Sequence, residues 1–392
     1  MRPSNVNGID LDVPSTFAGI LPVGSGSFRF AFEPYAYFGL AAVLKPGDVA
    51  FDVGASYGVL TVLMAHLVGE EGRVYSFEAN RAPLDKAREL VAANHMADRV
   101  LFVNACVGEC SDTDVEFFAA PGFASVASSR NPQLRERLAG VERVLVAGLA
   151  LDEYCERMVV KPGCMKLDVE GSEYVALQGS RRLVERHQPD LIIETHGSAA
   201  LGIGGSLGQL CAELEERGYG FFDLRKGVCL SATEYVERYA NKIGYVLASS
   251  RLGHAEFVDM LVERHGTETA IIERFRTLDQ ELGLARKYVN SGRSTEALSI
   301  LRDFLKQVPD HAEANYLVGC CIQSTETDKQ AALEHYRLAL EYGFDEFWIC
   351  HNRHVLSFDI GDYESARRDL ARARELNPGY EGIAAVRNRL EG

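Results

Sequence analysis

Seven residues, Asp52-Val-Gly54-Ala-Ser56-Tyr-Gly58, separate the apolar run Val49-Ala-Phe51 from the longer apolar run Val59-Leu-Thr-Val-Leu-Met-Ala-His-Leu67. A further β-rich run, Val74-Tyr-Ser-Phe77, then ends on Glu78. Strand, glycine turn, helix, strand and acid is the order of a nucleotide-binding βαβ unit. Glycines at 54 and 58 permit a tight turn, the helix N-terminus offers unpaired N–H groups, and Glu78 is placed to accept both ribose hydroxyls. A bound ribonucleoside is therefore expected.

The surrounding pattern extends this unit into an α/β domain. Residues 1–45 read as a lead-in with a strand at Phe28–Phe32 and an aromatic segment at Tyr35–Phe38, and Pro46-Gly47 launches the first parallel strand. Helical spacing over Pro83–Asn94 is followed by an apolar strand at Val100–Val107. An irregular stretch to Asn131 comes next, with Glu116-Phe-Phe118 as edge structure. Cys164–Asp168 reads as a strand, Glu173–Val184 as a helix and Asp190–Glu194 as the next strand, with Tyr219–Asp223 and Lys242–Leu247 closing the sheet. Alternation of this kind predicts a doubly wound, mostly parallel sheet over residues 46–252.

Strand signals end near residue 252, and helical periodicity continues to the end through a linker at 253–277. Ala297, Leu301, Phe304 and Pro309 are echoed by Ala332, Tyr336, Ala339 and Phe344, then by Ala366, Leu370, Ala373 and Pro378. The anchors at 297, 332 and 366 resemble tetratricopeptide repeats over 278–311, 312–346 and 347–380 within a 278–392 domain. Small alanines let paired helices approach, and proline stops the second helix. Repeat two departs with Gly343-Phe344 in place of proline, and repeat three has His354 where Gly319 stands in repeat two. The alternative is a helical bundle with coincidental alanine spacing.

Composition narrows the function. A net charge of −15 without a basic block argues against nucleic acid. No apolar run reaches the ~20 residues of a membrane span, and Met1–Gly8 lacks the apolar core of a signal peptide, so a cytoplasmic location is expected. Nine cysteines without CxxC spacing fit reduced thiols. The Cys106/Cys110 pair lacks the ligand number of a zinc site, and Cys320-Cys321 are expected to pack on a helix.

Three groups of residues carry the expected chemistry. Asp52, two residues before Gly54, disfavours a pyrophosphate and suits a ligand bearing an ammonium group. Ser56 narrows the turn in the same direction. Electrostatics thus prefers S-adenosylmethionine to NAD. The second group is Lys166-Leu-Asp168-Val-Glu170-Gly-Ser-Glu173, whose strand alternation points Lys166, Asp168 and Glu170 to one side. The third is Glu194-Thr-His196, ending the next strand. The carboxyl ends of such strands form the ligand crevice. Asp168, Glu170, Glu194 and His196 are therefore candidates to deprotonate an acceptor hydroxyl or hold a divalent cation, although no metal is required. Plainer roles compete: Lys166 as a structural partner of Asp168, Glu173 as a first-turn residue stabilised by the helix dipole, and His66 and Tyr57 as packing residues.

These blocks resemble the FkbM family of methyltransferases. The matching pieces are Phe51-Asp-Val-Gly-Ala55 with Gly58, Phe77-Glu-Ala-Asn80, and Lys166–Glu173 continuing through Leu177-Gln-Gly179 to Pro189-Asp-Leu-Ile-Ile-Glu194. Asn104-Ala105-Cys106 matches the loop that meets adenine in that family. Departures are Leu167 for isoleucine, Ala79 for proline and Cys106 for alanine. The resemblance covers about residues 40–250. It implies a class I fold, S-adenosylmethionine contacts from Gly54, Gly58, Glu78 and Asp168, and methyl transfer to an oxygen of a sugar or natural product. The acceptor is expected to face loops 119–130 and 197–206, and the repeats to dock a protein partner. The competing readings are a methyltransferase-like scaffold whose repeats do the binding, and an NAD-dependent oxidoreductase, which Asp52, Ser56 and the 166–173 block disfavour.

Overall fold

Strand β-propensity and helix capping set the elements of the computed structural model, which describes residues 2–17, 20–21, 29–111, 114–120, 123–125, 142–197, 206–325, 328–382 and 384–391. The chain divides into two compact units, residues 32–270 and residues 1–31 with 271–392.

The 32–270 unit begins with α1 (Pro34–Val43), launched by Pro34 at its first turn, followed by β4 (Val49–Val53), α2 (Val59–Val68), β5 (Arg73–Phe77), α3 (Arg81–Ala93) and β6 (Val100–Val103). Asn80 caps α3 by accepting the Ala82 N–H at 3.1 Å, which fixes where the helix starts. Next come β7 (Cys106–Val107), β8 (Asp114–Ala120), β9 (Phe123–Ser125), β10 (Glu142–Leu149) and α4 (Leu151–Met158). The second half holds β11 (Cys164–Leu167), α5 (Glu173–Gln178), α6 (Arg181–His187), β12 (Asp190–His196), α7 (Leu207–Glu216), β13 (Gly220–Asp223), β14 (Val228–Leu230), α8 (Ala232–Tyr239) and β15 (Ile243–Ser249).

Eight strands form the main sheet in the order β14-β13-β15-β12-β11-β4-β5-β6. From β12 to β6 every pairing is parallel, while β15 runs antiparallel to β12 and β13. Chain order leaves β4 towards β5 and β6 on one side and, after a crossover, runs from β11 to β12 on the other. The switch point lies between β4 and β11, where an open α/β sheet binds ligands. Phe51, Val53, Met165, Leu167, Leu191 and Ile193 line one buried core. Strand alternation turns Asp52 and Lys166 to the opposite face, where Thr61 of α2 meets Asp52.

Several elements differ from the sequence expectation. The Val100–Val107 run breaks at Asn104, whose side chain donates to the carbonyls of Glu78 and Ala79 at 2.9 Å, and β7 joins a second sheet, β7-β10-β8-β9. That sheet occupies part of the stretch expected to be irregular. The helix expected over Glu173–Val184 is two helices, because a Cβ on Gly179 would lie 1.9 Å from the Gly108 carbonyl and the Gly179 carbonyl accepts the Asp152 N–H at 2.8 Å.

In the other unit, residues 2–13 form a hairpin of β1 (Arg2–Val6) and β2 (Ile9–Val13), with β3 (Arg29–Phe30) parallel to β1. The sequence reading passed over this hairpin. Its turn is Asn7-Gly8, both at positive φ, the two-residue signature of such hairpins. The helices are α9 (Ala255–Asn290), within which the division between units falls, α10 (Ser294–Gln307), α11 (Ala312–Thr325), α12 (Lys329–Glu341), α13 (Glu346–Asp359), α14 (Tyr363–Leu376) and α15 (Ala384–Glu391). The helical linker expected over residues 253–277 lies mostly within α9, which runs on to Asn290 with no proline to interrupt it. The anchor residues at 297, 301, 304, 332, 336 and 339 share one buried core. Gly319 is there for packing, because a Cβ would sit 2.6 Å from the Tyr336 ring. Among the described residues no helix is long and apolar enough to cross a membrane.

Candidate active site

At the carboxyl end of β4 the chain turns sharply at Gly54, whose φ is +81°. A Cβ there would lie 1.7 Å from the Asp168 carbonyl, so glycine is required by the close approach of the two strand ends. Gly58, at φ +76°, is required by the α2–α3 packing, since its Cβ would meet that of Ala87 at 2.5 Å. Both glycines thus answer to the protein's own packing. Ser56 between them is exposed and in the left-handed region at φ +49°.

Glu78 holds this turn together. One carboxylate oxygen accepts the Ser56 N–H at 2.8 Å and the other the Asn80 N–H at 2.7 Å. Burial raises its pKa, and these N–H groups work in the opposite direction. Each oxygen keeps a lone pair, so the carboxylate that fixes the turn still fits a ribose hydroxyl. Ala105 and Cys106 are buried where the chain leaves β6 and enters β7, the Cys106 thiol pushed up to about 11 by burial and by Glu78. The turn, Glu78 and Ala105-Cys106 lie at the ends of the adjacent strands β4, β5 and β6, the layout a nucleoside-bearing cofactor needs.

Asp52 has a different role from the one its position suggested. It is fully buried, accepts the Thr61 hydroxyl at 2.6 Å and lies 3.5 Å from Lys166 Nζ, its neighbour in register on β11. Its charge is therefore matched inside the protein, and the argument from an ammonium-bearing ligand loses its premise. Lys166 also donates to the Gly54 carbonyl at 2.8 Å and lies 3.4 Å from Asp168. Burial would lower its pKa, but Asp168 and Asp52 raise it.

The four predicted catalytic candidates converge. His196 Nε2 lies 3.4 Å from Glu170 and 3.8 Å from Glu194, while Nδ1 is 2.9 Å from Glu173. Asp168 belongs to the same cluster, its carboxylate close to those of Glu170 and Glu194. Alternation along β11 stops at Leu167. Glu170 reaches the cluster through a turn at φ +52° and leaves its side chain 60% exposed. Burial would lower the His196 pKa, but the Glu173 hydrogen bond and the surrounding carboxylates lift it to about 9. Glu194 is pushed up to about 8, first by burial and then by Asp168 and Glu33.

Sequence reasoning missed three participants. Glu33, in the left-handed region just before α1, sits beside Asp168 and Glu194, and burial raises it to about 7. Its signal was faint, an acid before a proline. Tyr245 hydrogen-bonds Glu194 from the paired position on β15, a contact that only strand register reveals. Glu173, taken as a dipole residue, instead accepts the Gly171 N–H at 2.8 Å and orients His196. Residues 121–122, 126–130 and 198–205 of the expected acceptor loops lie outside the described residues.

Comparison with known proteins adds the class. Residues 52–221 match the family described as the methyltransferase FkbM domain, a likeness that supports an S-adenosylmethionine-dependent methyltransferase in this segment. The 31-O-demethyl-FK506 methyltransferase FkbM of Streptomyces tacrolimicus is 28% identical over 223 residues, 50% of this chain and 80% of that protein. The protein-L-isoaspartate O-methyltransferase of Ignicoccus hospitalis is 40% identical over 73 residues, 19% of this chain and 35% of that protein. A solved methyltransferase FkbM from Methylobacillus flagellatus is 17% identical with a TM-score of 0.33, covering 52% of this chain and 48% of that one.

Proposed function

Taking residues 52–221 as an S-adenosylmethionine-dependent methyltransferase domain, we propose that the protein methylates a hydroxyl oxygen of a sugar, glycan or natural product. The observation that carries this is the convergence of Asp168, Glu170, Glu194 and His196 at the ends of β11 and β12, beside the β4–α2 turn. When bound, the cofactor supplies an electrophilic methyl on a sulfonium. The turn at Gly54–Gly58, held by Glu78, positions the nucleoside, with Ala105 and Cys106 towards the base. A sugar hydroxyl is a weak nucleophile, so attack requires alignment and a group that takes its proton as charge develops. Asp168 takes it in this reading, with Glu194 and His196 beside it and Glu173 holding the His196 ring. Transfer to oxygen is supported by the likeness to the Streptomyces relative, named as a methyltransferase of a 31-O-demethyl compound. The net charge of −15 favours such an acceptor over nucleic acid. The helices of residues 278–380, with their recurring buried alanines, act in this reading as tetratricopeptide-like repeats that dock a protein partner.

Incubation with methyl-labelled S-adenosylmethionine and fractionated glycans, lipids and metabolites tests the proposal. Label is expected in a glycan or metabolite fraction and is lost in Asp168→Ala, which keeps the thermal melting of the parent. Turnover unchanged in Asp168→Ala would sink the site assignment.

A further inference from the structure

We propose that Asp168, Glu170, Glu194 and His196, completed by Glu33, bind one divalent transition cation of the Mn²⁺ kind. The donor atoms of Asp168, Glu170 and His196 lie within 4.8 Å of one another, as do those of Glu33, Asp168 and Glu194. Asp168 is common to both sets. Donors around an octahedral ion at ~2.1 Å stand roughly 3 Å apart in cis and ~4.2 Å in trans. The 3.4 Å and 3.8 Å separations from His196 Nε2 to Glu170 and Glu194 fall in that interval and are long for hydrogen bonds.

Two further observations point to a cation. His196 is set as a ligand: Nδ1 faces Glu173 at 2.9 Å, Glu173 is fixed by the Gly171 N–H, and Nε2 faces the carboxylates. A ligating imidazole commonly gives its other N–H to a carboxylate in this way. Independently, Glu33 Oε2, brought in by the start of α1, is closed to solvent and has no hydrogen-bond partner. An oxygen buried in that state is costly, and a cation beside Asp168 and Glu194 supplies what it lacks. Lys166 does not fill this need, being engaged by Gly54, Asp52 and Asp168. The single imidazole points to a first-row transition ion, and the carboxylate majority fits Mn²⁺ among them. In the methyl-transfer reading, on which this last step rests, the one octahedral position left by these five donors would take an oxygen of the acceptor.

Mn²⁺ titration of the metal-stripped full chain, without cofactor or acceptor, separates this proposal from the enzymatic one. By electron paramagnetic resonance, the six-line signal of free Mn²⁺ is expected to vanish up to one ion per chain. The bound ion should show coupling to one imidazole nitrogen, which His196→Gln removes. Glu170→Gln, at an exposed side chain whose loss does not threaten the fold, weakens binding, and Glu173→Gln weakens it about 10-fold or more. A six-line signal undiminished by the parent chain overturns the assignment. So does Mn²⁺ binding with the same affinity and nitrogen coupling in His196→Gln and Glu170→Gln.

Discussion

Lys166 and Asp52 illustrate how far one residue's environment is hidden in a sequence. The Lys-Leu-Asp-Val-Glu-Gly block is legible at once as functional, and the pairing of Lys166 with Asp168 follows from its spacing. That Asp52, on a strand distant in sequence, shares the same ammonium follows only from the β4–β11 register. The consequence is testable. Lys166→Met leaves Asp52 buried without its countercharge, a change that costs about 3–5 kcal/mol in comparable buried pairs. Urea unfolding of the variant should show its midpoint lowered accordingly, and an unchanged midpoint would mean that Lys166 does not neutralise Asp52. Gly54 teaches the converse. Its conservation of space serves the Asp168 carbonyl at 1.7 Å, so Gly54→Ala is expected to weaken the fold itself, not the cofactor affinity alone.

Among the elements, those with a strong local signal were readable: the parallel strands, the Asn80-capped helix and the alanine-anchored helices. The failures share a physical cause, which is that the deciding contact comes from elsewhere in the chain. Gly179, packed against the Gly108 carbonyl, lies between the two helices of the 173–187 segment, and Asn104 ends β6 by binding the carbonyls that follow β5. The Asn7-Gly8 hairpin is the exception, since its signal is local. At the start of α11, His311 gives a pH-dependent prediction. Its Nδ1 accepts the Ala314 N–H at 3.1 Å, and burial lowers its pKa to about 4, with Glu313 and Asp310 opposing. Because the folded pKa lies below the unfolded one, the stability it contributes is full above about 6.5 and is lost as pH falls towards 4. The loss amounts to about 3 kcal/mol at most. His311→Asn keeps a cap and removes the titration. Its melting temperature should fall less than the parent's between pH 6.5 and 4, and identical slopes would refute the role of His311.

At the scale of the whole chain, the site is composed within residues 32–270. Glu33, the β4–α2 turn, Glu78, Ala105-Cys106, the 166–173 block, Glu194, His196 and Tyr245 all lie there. The sequence reading placed its domain boundary at 252 and left residues 1–45 as a lead-in, which separates Glu33 from the carboxylates it joins. A boundary drawn from composition misses a single acid whose partners are set by the start of α1. The 32–270 unit has its own buried core, and residues 278–356 contribute to another. A fragment of residues 32–270 is therefore expected to fold and to bind S-adenosylhomocysteine with an affinity close to that of the full chain, read by calorimetry. A second fragment, 46–252, matches the compositional boundary but lacks Glu33. It should leave the six-line signal of free Mn²⁺ undiminished, whereas the 32–270 fragment abolishes it. A soluble 32–270 fragment that binds neither S-adenosylhomocysteine nor Mn²⁺ would show that the site needs residues beyond this unit.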